Sequence, residues 1–422
     1  MNIEDLNNWN PWWLEKEVNK ALKGVERKVN PLIFKALQER EIIALTGIRR
    51  CGKTTIMYQM IALLLQTYKP EQVLYINLDD EALNKESLES IYLFYRQNKN
   101  PDQKAFLFLD EIQNVQGWEK FLKKTYDLME NVKFVISGSS ANLLRGEYAT
   151  LLTGRNITFN IFPLSFKEFL EFSHIKYEKI TTITKSRIIY ELNNYLEYGG
   201  FPEVFFKEKE IKRILLKQYF EDIVYKDIVK RHNINAKKVT DLGVYLLTNI
   251  ANSFTIRKIR NFTGLSIDSI KDYLSYLEDA FLALPLEHFS YSLKERSQRP
   301  KKSYSIDCGL RNVVSFRFSQ DIGRLAENCV RAELLRKGKE TYYWKEKGEV
   351  DFVVKNQDNT LTVINVSFAD DIQEREINSL KEFKTKFKKV DTLILLTRNI
   401  EEKTEGVLKI PLWKWLLSEA QR

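Results

Sequence analysis

The amino-acid sequence predicts an α/β protein that opens on a mainly parallel sheet wound with helices, and three observations carry that expectation. Between residues 40 and 162, short apolar runs alternate with stretches at helical period, the pattern of strands covered on both faces by crossover helices. The apolar run Glu41-Ile-Ile-Ala-Leu-Thr46 leads directly into a glycine-punctuated segment, Gly47 to Thr55. A second apolar run, Phe106 to Leu109, ends abruptly in two acids, Asp110 and Glu111.

Strands are expected at Ile42–Thr46, Val73–Leu78, Ala105–Leu109, Lys133–Ser137 and Asn156–Phe162, with helices such as Thr54–Gln66 and Trp118–Met129 between them. From Pro163 to about Ala236 the pattern turns helical, through LSFKEFLEF and KRILLKQYFEDIVYKDIV. Three helices follow at Val239–Ala251, Thr255–Phe262 and Ser266–Asp279, then strand-like stretches and a basic turn, Lys294–Lys302. The remainder reads as a further α/β unit: a helix at Arg324–Lys337, strands near Thr341–Trp344, Val350–Val354 and Thr360–Val366, then helix, strand and terminal helix. These shifts divide the chain into segments 1–165, 166–236, 237–310 and 311–422, as expected when 422 residues exceed a single core. Trp9, Trp12 and Trp13 are expected to anchor the amino-terminal segment against the first domain.

Composition excludes several classes. A 44% hydrophobic and 12% aromatic content argues against disorder, and no stretch approaches the about 18 uninterrupted apolar residues of a membrane helix. The start lacks a basic region followed by an apolar run, so no secretory signal is expected. Three cysteines make no disulfide framework, and a reducing cytoplasm is the expected location. The net charge of +9, from 66 Lys+Arg against 57 Asp+Glu, is scattered; it permits a nucleic-acid partner without requiring one.

Gly47-Ile48-Arg49-Arg50-Cys51-Gly52-Lys53-Thr54-Thr55 matches G-x-x-x-x-G-K-[ST], the Walker A pattern, with the strand before it and the helix after it that the pattern requires. Glycines at 47 and 52 let the backbone wrap so that successive N–H groups can cradle a polyphosphate. The helix that follows offers its positive end to the same anion. Lys53 suits the β- and γ-phosphates and Thr54 suits Mg²⁺, while Arg49 and Arg50 are candidates for phosphate contact, one of them turned to solvent. Asp110 is expected to hold Mg²⁺ through water and Glu111 to polarise the attacking water as general base. The alternative for this acidic pair is a helix cap.

These two motifs, with VLYINLDD between them, resemble the AAA+-like archaeal and bacterial ATPases of the additional-strand P-loop class. The resemblance continues through FVISGSSANLL and LLTGRNITFNIFPLSFKEF. It implies a P-loop NTPase fold, ATP and Mg²⁺ as cofactors, a polar sensor at Ser137 or Ser139, and an arginine, Arg155, that contacts phosphate from a neighbouring subunit or domain. Homo-oligomerisation follows if Arg155 acts in trans. From the residues alone, Arg155 could equally pair with a surface acid.

Residues 255–279 have the spacing of a helix-turn-helix, and Lys294, Arg296, Arg299, Lys301 and Lys302 would form the wing of a winged helix. Asp268, Asp272, Glu278 and Asp279 against a single Lys271 weigh against insertion of the second helix into a DNA groove. The rival reading is a helical packing module.

In the last segment Gly323–Glu327, Gly348–Phe352 and Val363–Ser367 resemble the restriction-endonuclease-like fold, in the domain of unknown function commonly joined to these ATPases. The resemblance implies metal-binding acids at Glu327 and Asp351, with Glu349 close by. Where that fold's pattern ends in Glu/Gln-x-Lys, this chain has Asn365-Val366-Ser367, and without the lysine the carboxylates would activate water poorly. A nuclease-shaped domain without nuclease activity is expected, serving nucleic acid or a protein partner. The whole reads as an Mg²⁺-dependent ATPase that couples hydrolysis to domain movement on DNA or RNA. The alternative is a slow ATP-dependent switch acting on a protein partner. No membrane association is expected.

Overall fold

The computed structural model describes residues 3–140, 143, 151–315, 322–369 and 371–418, which fall into two compact units, Met1–Ile161 and Phe162–Arg422. Ala141, Asn142 and Leu144 of the FVISGSSANLL segment lie outside the described residues.

In the first unit β1 (Ile42–Thr46), β2 (Val73–Asn77), β3 (Ala105–Asp110), β4 (Val132–Gly138) and β5 (Asn156–Asn160) form one sheet in the order β2-β3-β4-β1-β5. Every neighbouring pair is parallel. All residues of β1, β3 and β4 are buried, which is why they read as unbroken apolar runs, whereas β5, at the edge, is half-buried or exposed throughout. Parallel neighbours need crossovers, and the helices Lys53–Leu64, Leu88–Asn98 and Trp118–Leu128 supply them. The P-loop NTPase sheet is therefore as the sequence predicts, with element ends shifted by one or two residues.

The other edge strand, β2, is closed by side chains instead of a neighbouring strand. The indole N–H groups of Trp12 and Trp13 both donate to the Val73 carbonyl, at 3.1 and 3.0 Å. The Asn10 amide binds both main-chain groups of Tyr75, donating to its carbonyl at 2.9 Å and accepting from its N–H at 2.7 Å. An edge strand otherwise offers such groups to another chain. The tryptophans thus anchor the amino-terminal segment, and Trp12 is fully buried.

The second unit begins with helices, among them Thr182–Tyr198 and Lys209–Asp222, the latter continued by a π-helical stretch, Ile223–Val229. Helices Ala236–Thr248, Ile256–Thr263 and Ile267–Asp279 follow. Here the structure departs from the expected wing. Leu293–Gln298 is a helix, and the two-residue β7 (Lys301–Lys302) pairs antiparallel with β6 (Ser253–Phe254). The basic residues find partners within the unit: Arg296 donates to the Tyr342 hydroxyl at 2.7 Å, Arg299 pairs with Glu295 at 3.1 Å, and Lys301 pairs with Glu287 at 2.9 Å. Lys302 is buried.

The rest of this unit is a mixed sheet of β8 (Glu340–Lys345), β9 (Glu349–Lys355), β10 (Leu361–Ser367), β11 (Val390–Thr397), β12 (Glu402–Thr404) and β13 (Val407–Pro411), ordered β12-β13-β11-β10-β9-β8. Strands β10, β11 and β13 are mutually parallel, and the other pairings are antiparallel. Trp344, Val353, Val363, Leu380, Phe383 and Leu395 pack as its core.

Candidate nucleotide-binding site

Strand β1 delivers Gly47 to the carboxyl edge of the first sheet, where ligands of open parallel sheets gather. Gly47 has φ 151°, and a Cβ there would lie 2.0 Å from the Ile161 carbonyl oxygen. Gly52, at φ 101° and ψ 18°, turns the chain into the helix Lys53–Leu64, whose first-turn N–H groups have no carbonyl within the helix. The Lys53 side chain is buried and donates to the carbonyls of Gly47 at 2.8 Å and Ile48 at 3.2 Å, which places the ammonium inside the loop. Ile48 and Cys51 are buried packing groups; burial pushes the Cys51 thiol up. Arg27 donates to the Cys51 carbonyl at 3.0 Å and ties the loop to the amino-terminal segment. Arg49 lies 3.5 Å from Asp79, Arg50 is exposed, and Thr55 is half-buried.

Asp110, at the end of β3, is almost fully buried and accepts three hydroxyl donors. Thr54 donates to Oδ2 at 2.6 Å, Tyr75 donates to the same oxygen at 2.8 Å, and Ser137 donates to Oδ1. Burial pushes the Asp110 carboxyl up, the neighbouring Glu111 charge adds to this, and the hydroxyls oppose it. Ser137 also accepts the Glu111 N–H at 3.1 Å, so one serine on β4 fixes both acids. Glu111 sits at φ 54°, ψ 47°, a left-handed conformation costing a non-glycine residue about 1–3 kcal/mol and found where surroundings impose it. Its carboxylate accepts from the Gln113 amide. Ser139 is fully buried.

The structure therefore brings Lys53, Thr54, Asp110, Glu111 and Ser137 together. The adjoining hydroxyl of Thr54 and carboxylate of Asp110 are hard oxygen donors of the kind Mg²⁺ takes from a protein when phosphates and water complete its shell.

Arg155 does not join them. It precedes β5, whose first residue is in register with Ile42 at the start of β1, so it lies at the amino edge of the sheet, the length of β1 away from Gly47. There its guanidinium pairs with Asp127 at 2.8 and 3.2 Å, the surface-acid alternative. Arg155 contacts no phosphate at its own subunit's loop in this arrangement.

Sequence reasoning missed Tyr75, Gln113 and Arg27. A tyrosine inside the buried run of β2 is a signal in hindsight, because a buried hydroxyl needs a partner. Gln113, two residues from Glu111, and Arg27 carry no such mark.

In the second unit Glu327, Glu349 and Asp351 converge on one buried ammonium, that of Lys302. Lys302 Nζ lies 3.0 Å from Glu327, 2.8 Å from Glu349 and 3.1 Å from Asp351. Burial works against the ammonium's charge, but Glu327, Asp351 and Glu349 override it and hold its pKa well above the ordinary lysine value. Asn365 is no free ligand: its amide donates to Glu349 and Glu376, and its oxygen accepts the Asp351 N–H at 3.0 Å. Among the described residues no group of three His, Cys, Asp or Glu is disposed to hold a metal ion. No helix among them is long and apolar enough to cross a membrane.

Residues 39–170 match the family model of an AAA domain. Residues 189–321 and 322–415 match two domains of unknown function, DUF8612 and DUF4143, which gives the nuclease-like reading no further support. Two solved structures are similar at low level: the Walker-type ATPase PABY2304 of Pyrococcus abyssi (12% identity, TM-score 0.43, 68% of this chain and 95% of that one) and the Aeropyrum pernix Orc1 protein in complex with DNA (13% identity, TM-score 0.35, 72% and 96%). Likeness at that level carries no argument about this chain. An uncharacterized protein of Haemophilus influenzae is 31% identical, over 95% of this chain and 100% of its own length. An uncharacterized protein of Methanocaldococcus jannaschii is 34% identical over 425 residues, 95% of this chain and 93% of that protein. With such a relative along nearly its whole length, the chain belongs to the same family as the Methanocaldococcus jannaschii protein, and its first sheet lies within an AAA-like P-loop domain.

Proposed function

We propose that this chain binds Mg²⁺–ATP at Gly47–Thr55 and hydrolyses it with Glu111 as general base. The observation that carries the reading is the bond from Thr54 to Asp110, which sets the phosphate loop against the two acids of β3. Magnesium, when bound, supplies charge neutralisation on the phosphates. Thr54 and Asp110 would hold it. The loop amides and Lys53 bind the polyphosphate, and Ser137 holds Asp110 and Glu111 in place from β4. Glu111, kept at its angle by its own backbone, accepts the proton of the attacking water. Gln113 competes for the same carboxylate, so release of that amide precedes base action. Glu111→Gln should keep ATP affinity within about twofold while hydrolysis falls at least about 100-fold. Normal turnover in that variant would require another base.

For the target of this ATPase, a switch acting on a protein partner is better supported than movement on nucleic acid. Arg296, Arg299, Lys301 and Lys302, the expected phosphate contacts, are bonded within their own unit, and the helix Ile267–Asp279 is rich in acids. On this reading the segments 166–236, 237–310 and 311–422 transmit and present the nucleotide state. Single-turnover hydrolysis that is slow and indifferent to DNA or RNA at low salt is expected. Strong stimulation by either would restore the nucleic-acid reading. Arg155, if it serves a neighbouring subunit, must leave Asp127 to do so. Loss of hydrolysis in Arg155→Ala at high protein concentration alone would reveal that role.

A further inference from the structure

Tyr75 belongs neither to the phosphate loop nor to the acidic pair, yet its phenol is buried beside Asp110 and donates to it. Its ring is fully buried, with the Tyr58 ring centroid at 4.9 Å and the indoles of Trp9 and Trp12 at 6.1 and 6.5 Å. Its outward main-chain N–H and carbonyl are both bound by the Asn10 amide. Packing fixes the two torsions that place the ring, and the bond to Asp110 sets the hydroxyl.

The hydroxyl of this fixed ring donates to Asp110 Oδ2, while Ser137 donates to Oδ1. The two donors that lie outside the phosphate loop therefore grip opposite oxygens of the carboxylate and set the orientation of its plane. Thr54, the third donor, meets Oδ2 beside Tyr75. Without the Tyr75 hydroxyl, Oδ2 would be held by Thr54 alone, the hydroxyl that the metal itself is to take.

We propose that Tyr75 is a positioning residue for the divalent cation: its hydroxyl holds the Asp110 carboxylate where Asp110 and Thr54 together can bind the metal. The proposal rests on the ATPase reading of the site. It also gives the tryptophan-rich amino-terminal segment a role in the chemistry, because Asn10, Trp9 and Trp12 hold the tyrosine that holds the aspartate.

Outer partners of metal ligands typically contribute about 10–100-fold to metal affinity. Tyr75→Phe keeps the ring and removes only the hydroxyl. Mn²⁺ is titrated into the full chain with a non-hydrolysable ATP analogue, and bound metal is read by electron paramagnetic resonance. The half-saturating Mn²⁺ concentration should rise about 10-fold in Tyr75→Phe, while analogue affinity measured in chelator stays at the wild-type value. Tyr95→Phe, whose hydroxyl donates to the Glu71 carbonyl and leaves all three donors on Asp110 in place, should titrate as wild type. Should Tyr75→Phe not fold, Tyr75→Met takes its place with the same expectation. Unchanged Mn²⁺ affinity in a folded variant overturns the proposal, and so does a lowered melting temperature as its only effect. Wild-type protein that fails to bind the analogue at all overturns the ATPase reading instead, a result separable from either of these.

Discussion

The ammonium of Lys302 and the carboxylate of Asp351 lie 49 residues apart in sequence and 3.1 Å apart in space. The lysine reaches that position from β7, a strand too short to announce itself, and it faces Glu327 and Glu349 as well. Three carboxyl groups face one buried ammonium, and burial beside Asp351 pushes that of Glu327 up to about 8.

Lys302→Met should therefore be costly. Removing one partner of a buried ion pair typically destabilises by about 3–5 kcal/mol, because the remaining charge is left in a poor solvent. Chemical denaturation followed by circular dichroism should show a loss of that order. Lys302→Met/Glu327→Gln should recover part of it, since the double variant crowds fewer charges. A loss below about 1 kcal/mol in Lys302→Met would mean that the cluster is more open to water than its burial indicates.

Asn10 supplies the only hydrogen bonds that the outer main-chain groups of Tyr75 make among the described contacts, and Asn10 is itself 1% exposed. In Asn10→Ala a buried N–H and a buried carbonyl lose their partner, at about 1–3 kcal/mol for each. Urea titration of tryptophan fluorescence should register a loss of about 2–6 kcal/mol together with a tendency to self-associate through the bared edge of β2. A variant as stable and as monodisperse as wild type would show that water reaches that edge.

Asp307 caps the helix Cys308–Val314, accepting from the N–H groups of Gly309 at 2.8 Å, Leu310 at 3.3 Å and Gly200 at 2.7 Å. Burial nevertheless pushes its carboxyl up to about 6, above the about 3.9 of an unfolded chain. Between those values the folded state binds more protons than the unfolded state, so stability from this group falls as pH rises from about 4 to about 6. The change is on the order of 3 kcal/mol. Comparing unfolding free energies of wild type and Asp307→Asn across that window isolates it. The wild type should lose ground relative to the variant as pH rises, and parallel curves would refute the assignment.

How much of this was legible in the chain depends on how local each signal is. Strands β1, β3 and β4 are buried on both faces, so they had to be continuous apolar runs, and their ends were read to within a residue or two. The phosphate loop was legible because nine consecutive residues carry it. Asp110 and Glu111 stood out because acids at the end of a buried strand need a purpose. Tyr75 and Asn10 were not legible: their bonds cross 35 and 65 residues, and neither residue type is unusual where it stands. Lys302 looked like one more lysine in a solvated turn, because a local pattern says nothing about carboxylates arriving from 25 to 49 residues later. For Arg155 the chain left two readings open, a phosphate contact on a neighbouring subunit or domain and a surface acid, and the structure shows the pairing with Asp127. Its neighbourhood resembles a phosphate-contacting element, but the parallel pairing of β5 with β1 sets it at the edge of the sheet opposite the loop.

Gly47–Thr55 and Asp110 acting as one magnesium-dependent triphosphate site is the central proposal. Isothermal titration calorimetry of the full chain with ATP, in magnesium and then in chelator, tests this most directly, with Lys53→Ala as the comparison. Saturable binding near one ATP per chain is expected, weaker in chelator and at least about 100-fold weaker in Lys53→Ala, as befits loss of a buried charge-assisted contact. Wild-type protein that is folded yet takes up no nucleotide, or a Lys53→Ala variant that binds ATP as tightly as wild type, would contradict it.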